Sequence, residues 1–127
     1  MLQLRHLFAF LVLALASFAA SDHASAGERV QRTTATLSNG SATIQIDGGR
    51  VSYRVKSSGG ELSCFAVRGG SLAKLKSVPP TSRANGMGCP CGVRCWEDQQ
   101  EQASICVCRS CGSGGPLPVL IVIADGD

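Results

Sequence analysis

Six of the seven cysteines in this 127-residue chain lie between Cys89 and Cys111. They form two triplets, Cys89, Cys91 and Cys95, then Cys106, Cys108 and Cys111, with ten residues between. So dense a cluster joins two short arms covalently, through disulfides or through a shared metal, and any fold must bring those arms side by side. The compartment decides which chemistry applies.

The N-terminus predicts export. Met1 to His6 carries Arg5, Leu7 to Ala20 is an apolar run broken only by Ser17, and Ala24-Ser25-Ala26 is a small-x-small cleavage site. These are the three parts of a secretory signal peptide, residues 1–26. The apolar run is shorter than the roughly 20 residues a bilayer-spanning helix needs, so no membrane span is expected in the mature protein. The expected localisation is secreted or periplasmic, and residues 27–127 form one mature domain.

Cleavage removes both histidines, His6 and His23, and three of the four phenylalanines. Phe65, Tyr53 and Trp96 are the aromatics left. Ser-His and Cys-His nucleophilic catalysis is thereby excluded within one mature chain. The eight remaining acids, Glu28, Asp47, Glu61, Glu97, Asp98, Glu101, Asp125 and Asp127, are scattered and read as mostly solvated. No catalytic residue is assigned, and the expectation is a non-enzyme. Eleven Lys and Arg are spread without a run and with little aromatic interleaving, which argues against nucleic acid. A cationic toxin or antimicrobial is disfavoured by the small net charge and the lack of an amphipathic basic stretch.

The fold class is mainly β: a small antiparallel meander over 33–68, a linker over 71–88, and a cysteine-rich stapled lobe with a buried final strand over 89–127. Asn39-Gly40 and Gly48-Gly49 are two-residue hairpin signals. Tight turns there place Leu37 opposite Ala42 and Ala35 opposite Ile44, then Ile46 opposite Val51, Ile44 opposite Tyr53 and Ala42 opposite Val55. All these pairs share one apolar face, which a one-residue slip would turn to water. Read as a four-residue loop, Ser57-Ser58-Gly59-Gly60 pairs Lys56 with Glu61 and sets Cys64 opposite Tyr53, on the core side. A lone strand cysteine is most simply a small buried hydrophobe. Phe65 and Val67 point outward and call for a cover, for which the C-terminal half is the candidate. Asn39-Gly40-Ser41 also fits the N-glycosylation pattern, but the hairpin accounts for those residues, and the signal suits a bacterial exporter at least as well.

Ser71 to Ser77 is two turns of helix or an irregular strand, ended by Val78-Pro79-Pro80, and Thr81 to Gly88 is a polar loop. Trp96 to Ser104 is a short helix or solvated loop, and Trp96 the packing centre of the cysteine cluster. Val119 to Ala124 is a strand buried on both faces, within or against the meander, and Asp125-Gly126-Asp127 is a polar tail.

For the cluster, the first reading is three disulfides running from one triplet to the other, because a bridge within Cys-x-Cys is strained. Fifteen connectivities are possible. The second is an all-cysteine metal site: Cys91-x3-Cys95, twelve residues, then Cys108-x2-Cys111-Gly112 has structural zinc spacing, leaving Cys89 and Cys106 to bridge each other. The Cys-Pro-Cys and Cys-Val-Cys pairs would also suit Cu(I). A redox-active dithiol is weaker, with only Arg94 and Arg109 nearby to lower a thiol pKa. The functional expectation is an exported, disulfide-stapled, non-enzymatic binding or structural module without cofactor, displaying the Trp96–Ser104 loop to a protein partner. The alternative is an all-cysteine metal-binding protein.

Overall fold

In the computed structural model of the chain, residues 27–46, 51–112 and 115–125 are described. The signal segment, the Gly48-Gly49 turn with Asp47 and Arg50, and Gly126-Asp127 lie outside the described residues. By internal contacts the chain divides into residues 29–124 and residues 1–28 with 125–127. Of the latter, Gly27, Glu28 and Asp125 are described, as extended backbone.

Among the described residues, nine strands make two antiparallel sheets. They are β1 (Gly27–Ala35), β2 (Ser41–Gln45), β3 (Ser52–Ser58), β4 (Glu61–Arg68), β5 (Ser71–Lys74), β6 (Lys76–Val78), β7 (Val93–Asp98), β8 (Ala103–Cys108) and β9 (Leu117–Asp125). One sheet has the order β2-β3-β4-β5, the other β1-β9-β8-β7-β6. Among the described residues one helical turn, α1 (Ser82–Asn85), joins them.

The expected meander exists, displaced by one strand. Asn39 and Gly40 take positive φ (55° and 82°), as a primed two-residue turn requires, and Ser38 and Ser41 exchange both backbone hydrogen bonds across it. Beyond that bridge the hairpin does not continue. β1 leaves to lie beside β9, so the predicted pairs Leu37–Ala42 and Ala35–Ile44 do not form. Their side chains still share the core: Ala35 is buried there and Leu37 packs against it. β5, within the expected linker, supplies the fourth strand instead.

The β2–β3 register agrees with the sequence reading, with Ala42 opposite Val55 and Ile44 opposite Tyr53. The β3–β4 register does not. Gly59-Gly60 closes a two-residue turn with Ser58 opposite Glu61, so Cys64 faces Val55 and Tyr53 faces Ala66. That displacement is two residues, a full strand period, and leaves every side chain on its expected face.

The two sheets enclose one core. Ile44, Tyr53, Val55, Cys64 and Ala66 on one side meet Trp96, Ile105, Val107, Val119 and Ile121 on the other. Phe65 and Val67 do point away from it, but the C-terminal half covers the inner face and not theirs. Phe65 is instead flanked by Arg54 and Lys74, with Lys56 Nζ 5.1 Å from its ring centre.

β9 is buried on both faces, as its composition predicts. Val119, Ile121 and Ile123 face the inter-sheet core, and Leu120 joins a second, smaller cluster on the outer face of the five-stranded sheet. Ala84, Cys95 and Cys106 complete the buried part of that cluster, with Val30, Val78, Met87, Val93 and Val122 packed around it. The expected linker therefore has structure. After β5 and β6, Thr81 caps α1 through a hydrogen bond from Ala84 N to its Oγ1 (3.1 Å), seating Ala84 over Cys95 and Cys106. Among the described residues no helix is long and apolar enough to cross a membrane.

Candidate functional site

The two cysteine triplets meet because β7 and β8 pair. Cys95 and Cys106 are direct cross-strand partners, and their disulfide joins Cα atoms 4.1 Å apart. Cys89 bridges to Cys108 and Cys91 to Cys111, with Cα separations of 5.3 and 5.5 Å. All three bridges run from one triplet to the other. Gly92 (φ 94°) turns the first arm, and its carbonyl accepts from Arg109 N at 2.8 Å, holding the arms in line beyond the strand pair.

The bridges differ in depth. Cys95 and Cys106 are buried under α1, Cys108 is buried and Cys89 half-buried, and Cys91 and Cys111 are exposed at the open end. The four cysteines with zinc spacing, Cys91, Cys95, Cys108 and Cys111, are spread over all three bridges. In this oxidation state they present no thiolate set. The bridge between Cys89 and Cys106 that would accompany such a site is replaced by two others. Among the described residues, no group of three or more His, Cys, Asp or Glu is arranged to hold a metal ion.

Trp96 is not the centre of this lobe. It follows Cys95 on a strand, so it points through to the inter-sheet core and away from the disulfides. Trp96–Ser104 is neither helix nor long loop: β7 runs to Asp98, β8 starts at Ala103, and the segment between is the four-residue turn Gln99–Gln102. Arg94 reaches Glu61 (3.2 Å) and Ser77 (3.3 Å) and contributes little to the cysteines.

A second cluster was not foreseen. Asp98, read as a solvated acid, is buried at 2% exposure. Its Oδ1 accepts from Gln100 N (3.1 Å) and so shapes the β7–β8 turn. Its Oδ2 accepts from Tyr53 Oη (2.9 Å) and from Arg68 Nη2, which reach it from the opposite sheet. Arg68 Nε is buried without a hydrogen-bond partner, 3.9 Å from Glu101 Oε2. Burial, then the hydrogen bond and charge of Asp98, push the Tyr53 hydroxyl pKa up. Tyr53 is therefore a neutral donor, and the carboxylate is balanced by Arg68. Cys64 is a free, buried thiol in the same core, as its strand position predicts. Burial first, and then the charge of Asp98, raise its pKa to about 12. One sequence signal was available: Tyr53 and Arg68 both fall on the core side of their strands, and a buried hydroxyl and guanidinium require an acceptor.

No protein-family model matches the chain, and neither a curated protein nor a solved structure matches it significantly.

Proposed function

We propose that this chain is an exported, non-enzymatic binding or structural module, stapled for use in an oxidising compartment and carrying no cofactor. The observation that supports this reading is the set of three bridges, each joining one arm to the other. Such bridges form and persist where thiols are not kept reduced, and they are rare in the cytosol. The signal-like N-terminus agrees with that compartment. Among the described residues the buried carboxylate is held by a tyrosine and an arginine, and with both histidines in the signal segment this favours binding over catalysis.

The test is the intact mass of the exported protein, with thiol alkylation before and after reductant or chelator. The expected result is loss of residues 1–26 and no metal lost on denaturation. Six cysteines should resist alkylation until reductant is added, with Cys64 reacting on denaturation alone. If a metal mass leaves on denaturation and Cys91, Cys95, Cys108 and Cys111 become reactive without reductant, the chain is a metal protein and the staple reading fails.

A further inference from the structure

Strand pairing brings Lys74 onto the face that already carries Arg54 and Lys56. Tyr53, Val55, Cys64 and Ala66 are buried between the sheets, so by alternation Arg54, Lys56, Phe65 and Val67 stand on the outer face of the four-stranded sheet. Arg54 and Lys74 are the cross-strand neighbours of Phe65, one on each side, and Lys56 lies over its ring. Leu72 is opposite Val67 and is 44% exposed, the one exposed large hydrophobic side chain among the described residues. Among those residues no ion pair engages Arg54, Lys56 or Lys74. Glu61, at the end of the same face, is drawn to Arg94.

We infer that this face docks on an anionic lipid surface. Three unpaired cations complement a layer of anionic headgroups, and Val67 with Leu72, in the row beside Arg54 and Lys74, suits the boundary where headgroups meet acyl chains. Two other partners fit less well. A single nucleic-acid strand needs an open aromatic face on which bases can stack, whereas Phe65 is half-buried and already has an ammonium above it. An extended acidic peptide would add to a sheet edge. The neighbouring edge, β5, is only four residues long before the chain crosses to the other sheet. The inference names a partner for the binding module proposed above and rests on that reading.

The experiment is co-sedimentation of the oxidised protein, its disulfides verified by mass, with phosphatidylglycerol–phosphatidylcholine vesicles and with pure phosphatidylcholine vesicles. Binding is expected to the first only, and to weaken as salt rises. The Arg54→Gln, Lys56→Gln and Lys74→Gln variants should each lose about five-fold in affinity, and the triple variant on the order of 100-fold. Leu72→Ser should weaken binding without changing its salt dependence. Arg32→Gln makes the same charge change on the opposite outer face, two residues from Val30 of the second cluster, and should leave binding nearly unchanged. The salt series uses the unaltered protein and decides the matter even if the triple variant misfolds. Absence of binding, equal binding to neutral vesicles, or an equal loss in Arg32→Gln overturns the inference. Binding to single-stranded DNA or an acidic polysaccharide but not to vesicles also overturns it. If the protein carries free cysteines at Cys89–Cys111, it is the module reading that fails.

Discussion

The two faces of the five-stranded sheet solve the same problem by different means. Its inner face meets a second sheet, and Trp96, Ile105, Val107, Val119 and Ile121 are almost fully buried by that contact. Among the described residues its outer face is covered by α1 and the loop around it, and the buried cluster there is Ala84, Cys95, Cys106 and Leu120. Burying one large aliphatic side chain contributes roughly 1.5–3 kcal/mol, so the inner layer can hold itself together by packing. The outer layer has few such side chains, and half of that buried cluster is a disulfide. Covalent bonds appear where apolar area runs short, as expected of a small domain. The inner layer has one polar exception, Asp98, which ties the sheets through Tyr53 and Arg68.

Asp98→Ala gives the largest expected effect, because it strands a part-buried guanidinium, whose Nε is fully buried, and a buried hydroxyl. The cost should be about 3–5 kcal/mol in urea unfolding. Asp98→Asn keeps an acceptor for Tyr53 and for the turn and should cost clearly less. If the two variants are equally harmful, Asp98 acts by shaping the Gln99–Gln102 turn and not by joining the sheets.

The disulfides come next. Once Cys89–Cys108 is closed, each of the other two bridges closes only a short ring, so their entropic contributions are small and similar. Depth then decides between them. Replacing Cys95 and Cys106 together by Ala opens a cavity under α1 and should cost about 2–4 kcal/mol. The same change at Cys91 and Cys111, both exposed, should cost about 1 kcal/mol. With graded reductant and mass-resolved alkylation, Cys91–Cys111 should open first and Cys95–Cys106 last. The reverse order would break the comparison between the layers.

Alkaline titration isolates the inner layer. Cys64 and Tyr53 hold their protons more tightly folded than unfolded, with Cys64 raised from 9.0 to about 12 and Tyr53 also raised. Both are neutral when protonated, so their contribution is complete below the unfolded values and is lost as pH rises. From about pH 9, stability should fall by roughly 1.4 kcal/mol per pH unit for each group titrating in the unfolded chain. Cys64→Val should remove the part of that slope that begins at lower pH. A slope unchanged in Cys64→Val would show that the thiol ionises freely in the folded protein.

Gly40→Ala gives a small, local effect. Gly40 has φ 82°, and a Cβ there would stand 3.3 Å from the Ser57 carbonyl oxygen. The cost should be roughly 1–2 kcal/mol. The turn marks the point where the chain passes from one sheet to the other, so equilibrium unfolding should stay a single transition. Two separated transitions would mean that the layers fold independently.

Faces were easier to read in the sequence than neighbours. Alternation over Ala42–Ile46, Val51–Val55 and Leu62–Ala66 placed the core side correctly, and the β4 register could move by two residues without disturbing it. The compact cysteine triplets required an arm-to-arm arrangement in the disulfide reading; the β7–β8 pairing then set Cys95 opposite Cys106, and the arms beyond the strands joined Cys89 to Cys108 and Cys91 to Cys111. Asp98 escaped notice because a single acid in a polar stretch has no period, and its burial depends on two side chains from the other sheet.

The sequence by itself determined an antiparallel β protein with a two-sided final strand, a primed turn at Asn39-Gly40, a core-facing Cys64 and a covalently joined lobe. Each of these rests on local chain geometry: side-chain alternation, positive φ, or the short reach of a bridge. Tertiary structure alone decided that β1 joins β9 and not β2, that Trp96 turns its back on the cysteines, and that Asp98 is buried. It also decided that Lys74 joins Arg54 and Lys56 on one face. Those outcomes depend on which sheet buries more apolar surface against which, a sum over residues far apart in the chain that no local pattern encodes.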